Sequence, residues 1–188
     1  IPAAVIKVNN RKLAEGFFRG VGATDPDAAL RALDKLDKAG EVVVRGLLVS
    51  EAGLDDAGAD RCLRLARITG TDGSIVEQVR VLGVEHPLLD EGLDELVAVV
   101  EAANTRRPGS IVADLKIARG LDYYTGTVFE TELAGFESLG SVCSGGRYDA
   151  LASDGVVLSN YHAASAVCSP SRAALLTGVI GTTGYVAD

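Results

Sequence analysis

The hydrophobic period of this chain changes from helical to two at residues 104–109, and that change limits the folds open to it. Beyond Gly109 the apolar residues alternate with polar ones. Ile111, Ala113, Leu115 and Ile117 alternate with Val112, Asp114 and Lys116, and Thr127, Phe129, Thr131 and Leu133 alternate with Val128, Glu130 and Glu132. A period of two predicts two strands, and their separation by RGLDYYTG predicts an antiparallel meander. A third strand is expected over Gly140 to Cys143, before the glycine-rich SGGRYD.

Before the change the period is helical. Residues 4–8 (AVIKV) read as a short strand, and either Asn9 or Asn10 can cap the helix that follows, RKLAEGFFRG. Residues 23–103 read as a run of short amphipathic helices with dense punctuation. Thr24-Asp25-Pro26 is a start signal, with Ala29, Leu30, Leu33 and Leu36 on one face and Gly40 as a stop. Val42 to Leu48 is rich in β-branched residues and fits helix or strand. Asp55 and Asp56 open a helix with Ala59, Cys62, Leu63 and Ala66 inward, Gly70 to Ser74 is a turn, Ile75 to Leu82 is a short helix, and Pro87 starts another through Val100. A small helical subdomain is the natural reading of this run.

Composition narrows the function classes. No apolar run is long enough to span a bilayer, and no leader of charged then apolar residues opens the chain. Met is absent, so the chain reads as an excised or processed piece. Cys62, Cys143 and Cys168 are odd in number and far apart, which argues against a disulfide framework or a zinc site and favours the cytoplasm. The net charge is −8, and residues 23–108 carry nearly all of it. That segment is no basic footprint for nucleic acid.

Chemistry-bearing residues concentrate in Arg119-Gly120-Leu121-Asp122-Tyr123-Tyr124-Thr125-Gly126. Arginine offers a planar fork suited to phosphate or carboxylate. Tyrosine offers an apolar face with a polar tip, and glycine admits a ligand close to the backbone. The set suits a small polar or phosphorylated ligand lying on a sheet. On residue types alone, a hairpin with ordinary exposed polar residues is the better reading.

Longer stretches change that weight. KIARGLDYYTGTVFE resembles the histidine-specific signature of the histidyl-tRNA synthetases, and CSGGRYDAL resembles that family's second such stretch. VIKVNNRKLAEGFF is similar to the strand and helix after motif 2, and ALRALDKLDKAG with SEAGLDDAGADRCLRL is similar to the helical insertion. The resemblance runs from about Val5 to Gly155. It implies an α+β fold, an antiparallel sheet piece of a class II aminoacyl-tRNA synthetase core with a helical insertion subdomain. The family makes histidyl-adenylate from histidine and ATP with Mg²⁺, then esterifies tRNA. By resemblance Arg119 meets the α-phosphate, Tyr124 and Tyr148 face the imidazole, Asp122 and Tyr123 shape the pocket, and Gly145 and Gly146 let the backbone lie against the ligand. No metal-ligating set of the protein's own is implied. Motif 1, which builds the family's homodimer, and motifs 2 and 3 are not found, so the chain is expected not to activate histidine alone.

The last residues differ in character. Cys168-Ser169-Pro170-Ser171-Arg172-Ala173-Ala174-Leu175-Leu176-Thr177-Gly178 resembles the sulfatase signature, in which the cysteine becomes formylglycine and the arginine steadies its hydrate. The metal and sulfate ligands of that family are not found, so an unmodified thiol is the favoured reading of Cys168; a Cys168–His162 nucleophile pair is a further option. The expected organisation is a strand and helix over 1–22, a helical insertion over 23–108, strands with the pocket motifs over 109–154, and a tail over 155–188. Three functions stay open: a histidyl-tRNA synthetase piece, a sulfatase-type hydrolase piece, and a non-catalytic histidine-binding or interaction module.

Overall fold

A computed structural model describes residues 3–118 and 124–149. The chain divides into two units, Ile1–Ser153 and Asp154–Asp188. The division falls where the two resemblances abut, and only the first unit contains described residues.

The first strand, β1 (Ala4–Asn10), runs directly into α1 (Arg11–Gly20). Asn10 makes that junction abrupt, because its side chain accepts the amide of Lys12 as an N-cap. Four helices follow: α2 (Pro26–Leu33), α3 (Leu36–Ala39), α4 (Glu41–Ser50) and α5 (Asp56–Leu65). Asp25 caps α2 through Ala28 N at 2.9 Å, and Asp55 caps α5 through Gly58 N at 2.7 Å. Gly40, at φ 79°, turns the chain between α3 and α4 in a conformation that side chains resist. The ambiguous stretch Val42 to Leu48 is helical, because Val44 and Leu48 lie one turn apart and share a buried face.

A two-residue strand β2 (Thr69–Gly70), helix α6 (Ile75–Arg80) and the long α7 (Pro87–Arg106) lead to β3 (Ile111–Asp114), β4 (Thr127–Leu133) and β5 (Cys143–Gly146). The sheet order is β2-β3-β1-β4-β5. This corrects the expected meander: β3 and β4 do not pair with each other. Strand β1 lies between them, parallel to β3 (Ile6↔Ile111, Val8↔Ala113) and antiparallel to β4 (Val8↔Phe129, Asn9↔Val128). Parallel pairing needs a long crossover, which the helices between β1 and β3 supply. Alternation identifies a strand and its faces but not its neighbours. The third expected strand lies later than predicted, because Gly140 takes φ 66° and belongs to the turn before it. The α+β class holds.

The two sheet faces differ. Ile6, Val8, Ile111, Ala113 and Phe129 point to the helices and join one core with Leu13, Phe17, Leu89, Leu93 and Leu96. Helices α1 and α7 approach closely there, at glycines: a Cβ on Gly16 would stand 2.2 Å from Leu89 N, and one on Gly92 would stand 2.1 Å from Leu13 N. The opposite face carries Lys7, Asn9, Asp114, Val128, Glu130 and Glu132 by the same alternation.

Candidate functional site

Two of the sequence-predicted residues, Tyr124 and Gly146, meet on the polar face of the sheet. Tyr124 is buried there with Ile117 and Val128 in a small cluster of its own, separate from the main core. Glycine makes the fit possible. A Cβ on Gly146 would lie 2.6 Å from Cδ1 of the Tyr124 ring and 2.9 Å from Thr127 O. Gly145, on the other face, leaves room for the Phe129 ring, which a Cβ would meet at 3.0 Å. Tyr148 follows at the end of β5 and is exposed. The structure thus brings Tyr124 and Gly146 into contact and places Gly145 and Tyr148 beside them in sequence. Arg119, Asp122 and Tyr123 lie outside the described residues, as do Cys168 and Arg172.

The chain on either side of 119–123 is tied down. On the entry side, Asn9 Nδ2 donates to Ile117 O at 2.8 Å and to Leu115 O at 3.3 Å. On the exit side, Thr125 N donates to Arg147 O at 2.8 Å, Asp149 N donates to Thr125 Oγ1 at 3.0 Å, and Arg11 N donates to Gly126 O at 2.9 Å. Arg147 is held in turn by Asp149, Nε to Oδ2 at 2.6 Å. Both shoulders of the arginine–tyrosine segment therefore sit at fixed places on the sheet.

The polar face also opens into a cleft of about 460 Å³, whose lining includes none of Tyr124, Gly146 or Tyr148. Its floor is Glu130 and Glu132 of β4, one wall is Lys116, Ile117 and Ala118, and the other is Asp34, Asp37 and Lys38 from the α2–α3 region. Ile117 belongs both to this wall and to the Tyr124 cluster. Lys116 reaches across to Asp37 at 2.9 Å. Lys7 pairs with Glu132 at 2.8 Å and lies 3.7 Å from Asp114. Burial would lower the Lys7 ammonium, but the hydrogen bond and charge of Glu132, helped by Asp114, outweigh it and hold the pKa above its ordinary value. The cleft carries more carboxylates than cations and so favours a cationic or hydrogen-bond-donating ligand group. Sequence reasoning singled out none of Lys7, Lys116, Glu130 or Glu132. The available signal was the pair of glutamates two residues apart on one strand, which sets them on the same face.

A second polar network backs the site from the helical side. Glu95 of α7 accepts Asn10 Nδ2 at 2.7 Å and Lys12 Nζ at 2.7 Å. Burial would raise the Glu95 carboxyl, but the Lys12 and Asn10 hydrogen bonds prevail and hold it below its ordinary value. Gly126 lies against this network, since a Cβ there would meet Arg147 Cδ at 3.0 Å and Glu95 Oε2 at 3.6 Å. Among the described residues, no group of three or more His, Cys, Asp or Glu is placed to hold a metal ion, and no helix is long and apolar enough to cross a membrane.

The α+β fold, a five-stranded mixed sheet backed by helices, matches that of class II aminoacyl-tRNA synthetase structures. A crystal structure of histidyl-tRNA synthetase from Nostoc sp. superposes with a TM-score of 0.69 at 34% identity, covering 78% of this chain and 36% of that one. A structure from Bacillus halodurans described as an ATP phosphoribosyltransferase regulatory subunit/histidyl-tRNA synthetase shares the fold, with a TM-score of 0.62 at 23% identity over 79% of this chain and 38% of that one. Residues 1–160 match the family model for histidyl-tRNA synthetase, and the chain belongs to that family. The histidine--tRNA ligase of Cutibacterium acnes is 60% identical over 154 residues, covering 82% of this chain and 34% of that protein. The enzyme of the same name from Micrococcus luteus is 60% identical over 151 residues, covering 80% and 33%. The chain thus spans about a third of the length of these curated relatives.

Proposed function

We propose that this chain supplies the histidine-holding part of a histidyl-tRNA synthetase, whose whole reaction joins histidine to tRNA at the expense of ATP with Mg²⁺. The observation that carries the proposal is the seating of Tyr124 against Gly146 on the polar face, where Ile117 packs with Tyr124 and also lines the acidic cleft. In this reading Tyr124 and Tyr148 face the imidazole, and Asp122 and Tyr123 shape its surroundings. Gly146 lets the Tyr124 ring lie against the sheet backbone, Gly145 faces the helical core under Phe129 and so serves the pocket only through the strand it shares with Gly146, and Arg119 meets the α-phosphate. A fixed guanidinium there stabilises the charge that develops as carboxylate attacks phosphorus. The Mg²⁺ travels with the ATP phosphates.

The chain alone binds histidine weakly and does not activate it, because preorganised catalysis needs groups that lie on the rest of the family's length. The whole protein is a cytoplasmic homodimer in this reading, and residues 23–108 form its helical insertion. Isothermal titration of the chain with histidine tests the binding half: binding is expected, and it is lost in Tyr124→Ala. Histidine-dependent ATP–pyrophosphate exchange is expected to stay at the blank. Exchange that depends on Arg119 would refute the inactive reading, and no histidine binding would refute the pocket. The sulfatase-like reading of Cys168 and Arg172 rests on the signature alone, and a mass shift to formylglycine at Cys168 would promote it.

A further inference from the structure

We propose that residues 34–40 form a strap that closes one side of the acidic cleft, and that the Lys116–Asp37 ion pair is its latch. The strap starts at Asp34, where α2 ends, and carries the single turn of α3. It stops at Gly40, where a φ of 79° sends the chain into α4 in a new direction. Asp34, Asp37 and Lys38 line the cleft together with Glu130 and Glu132 of its floor. No residue of α3 is buried. From 34 to 40 every residue is exposed except Leu36, which is half-buried against the core. The flanking helices differ, since α2 buries Leu30 and Leu33 and α4 buries Val44 and Leu48. The strap is thus a lightly held span between two firmly packed helices, the kind of segment that opens locally while the rest stays folded.

Its hold on the sheet side of the cleft is electrostatic. Lys116 Nζ lies 3.0 Å from Asp37 Oδ1 and 2.9 Å from Asp37 Oδ2, so one ammonium grips both oxygens. The turn after β3 sets Lys116 in place, where its amide donates to Asp114 Oδ1 at 3.2 Å. The Asp37 side chain is 71% exposed, and an ion pair this open holds by a small margin that salt screens. Inside the strap, Lys38 N and Ala39 N donate to Lys35 O, and Gly40 N donates to Leu36 O. A single helical turn is not stable by itself, so these bonds last only while Leu36 and Asp37 are docked. Lifting the strap opens the cleft from the helical side and bares Glu130 and Glu132. Closing it sets Asp34 and Asp37 across from those glutamates, so that a cationic group in the cleft would be held from both sides.

The test uses the 188-residue chain with Asp37→Asn and Lys116→Gln, which break the latch, and Asp37→Glu, which keeps it. Lys116→Gln separates the latch from any effect of Asp37 on its own helix. Arg80→Gln, which removes the exposed Arg80–Asp90 pair, is the control. Circular dichroism checks that each variant is folded, and hydrogen exchange read by mass spectrometry follows the amides of residues 38–40. Asp37→Asn and Lys116→Gln are each expected to exchange about threefold faster there, as is the parent in about 0.5 M salt. Asp37→Glu and Arg80→Gln are expected to stay at the parent rate. Access to the floor is read in a chain carrying Glu130→Cys, by the rate at which a bulky maleimide labels position 130. Adding Asp37→Asn to that chain is expected to raise the rate about threefold. Exchange that neither latch variant nor salt moves overturns the latch, as does Asp37→Glu or Arg80→Gln exchanging as fast as Asp37→Asn. Faster exchange with unchanged labelling at position 130 overturns the closure of the cleft.

Discussion

Helix propensity and tertiary packing make opposite predictions at Gly16, which makes it a sharp test of the fold. Alanine in a helix interior is favoured over glycine by about 1 kcal/mol. A Cβ at Gly16, however, would stand 2.2 Å from Leu89 N and 2.8 Å from Leu88 C, against an ordinary contact of about 3.5 Å or more. The obstacles are backbone atoms, so no rotamer change relieves them and α1 must move away from α7 by about 1.3 Å. That separation loosens Leu13, Phe17, Leu93 and Leu96, all buried at this contact. Overpacking of this kind costs about 3 kcal/mol, the upper end of its usual range. Against the propensity gain, Gly16→Ala is left about 2 kcal/mol less stable, a midpoint about 4–8 °C lower for a chain of this size. Gly92→Ala, with its Cβ 2.1 Å from Leu13 N, behaves alike. Gly46 in α4 is exposed and has nothing within 4 Å of its Cβ position, so Gly46→Ala gains the propensity term alone and rises by about 2–4 °C. Thermal unfolding followed by far-ultraviolet circular dichroism reads all three. A Gly16→Ala midpoint at or above the parent's would show that the α1–α7 contact is not as close as described.

Other predictions are independent of that contact. Glu95 is held below its ordinary value of 4.5, so its share of stability is present above that value and is lost as pH falls through the lower folded value; Glu95→Gln should flatten the acid limb of the stability curve in that range. Burial pushes the Cys62 thiol up to about 12, whereas Cys143 is exposed. Iodoacetamide at pH 8 should therefore label Cys143 within minutes and leave Cys62 unlabelled in the folded chain, as peptide mass mapping will report. Gly146→Ala places a methyl 2.6 Å from the Tyr124 ring and 2.9 Å from Thr127 O, and should weaken histidine binding about tenfold or more. Unchanged affinity there would separate Tyr124 from the ligand.

Much of the helical layer was legible because capping chemistry is local. Asp25, Asp55 and Asn10 cap as their positions suggested, and the inward set Ala59, Cys62 and Leu63 is buried. Sheet order was not legible. The alternation in 111–117 and 127–133 reports faces, whereas the insertion of β1 between those strands depends on partners about a hundred residues away in sequence. The two-residue β2 was missed because its pairing with Ala113 and Asp114 is a tertiary event with no period of its own. At the site, Tyr124 and Gly146 were found through a resemblance, and their contact is a fact of folding. The cleft residues Glu130, Glu132 and Lys116 escaped notice because polar residues on a strand read as a solvated face until the neighbouring helices are placed. Asn9 was taken as one of two possible caps. Only the turn of the chain after Asp114 reveals it as a clamp on Ile117.

The most direct test of a histidine site on the open sheet face is a titration of the isotopically labelled chain with histidine, followed by amide chemical shifts. The shifts should move at Tyr124, Val128, Glu130, Gly146 and Tyr148 and stay fixed at Gly16, Cys62 and Leu93 in the helical layer. Changes confined to the helices, or none at millimolar histidine, would contradict the assignment of that face as the amino-acid site.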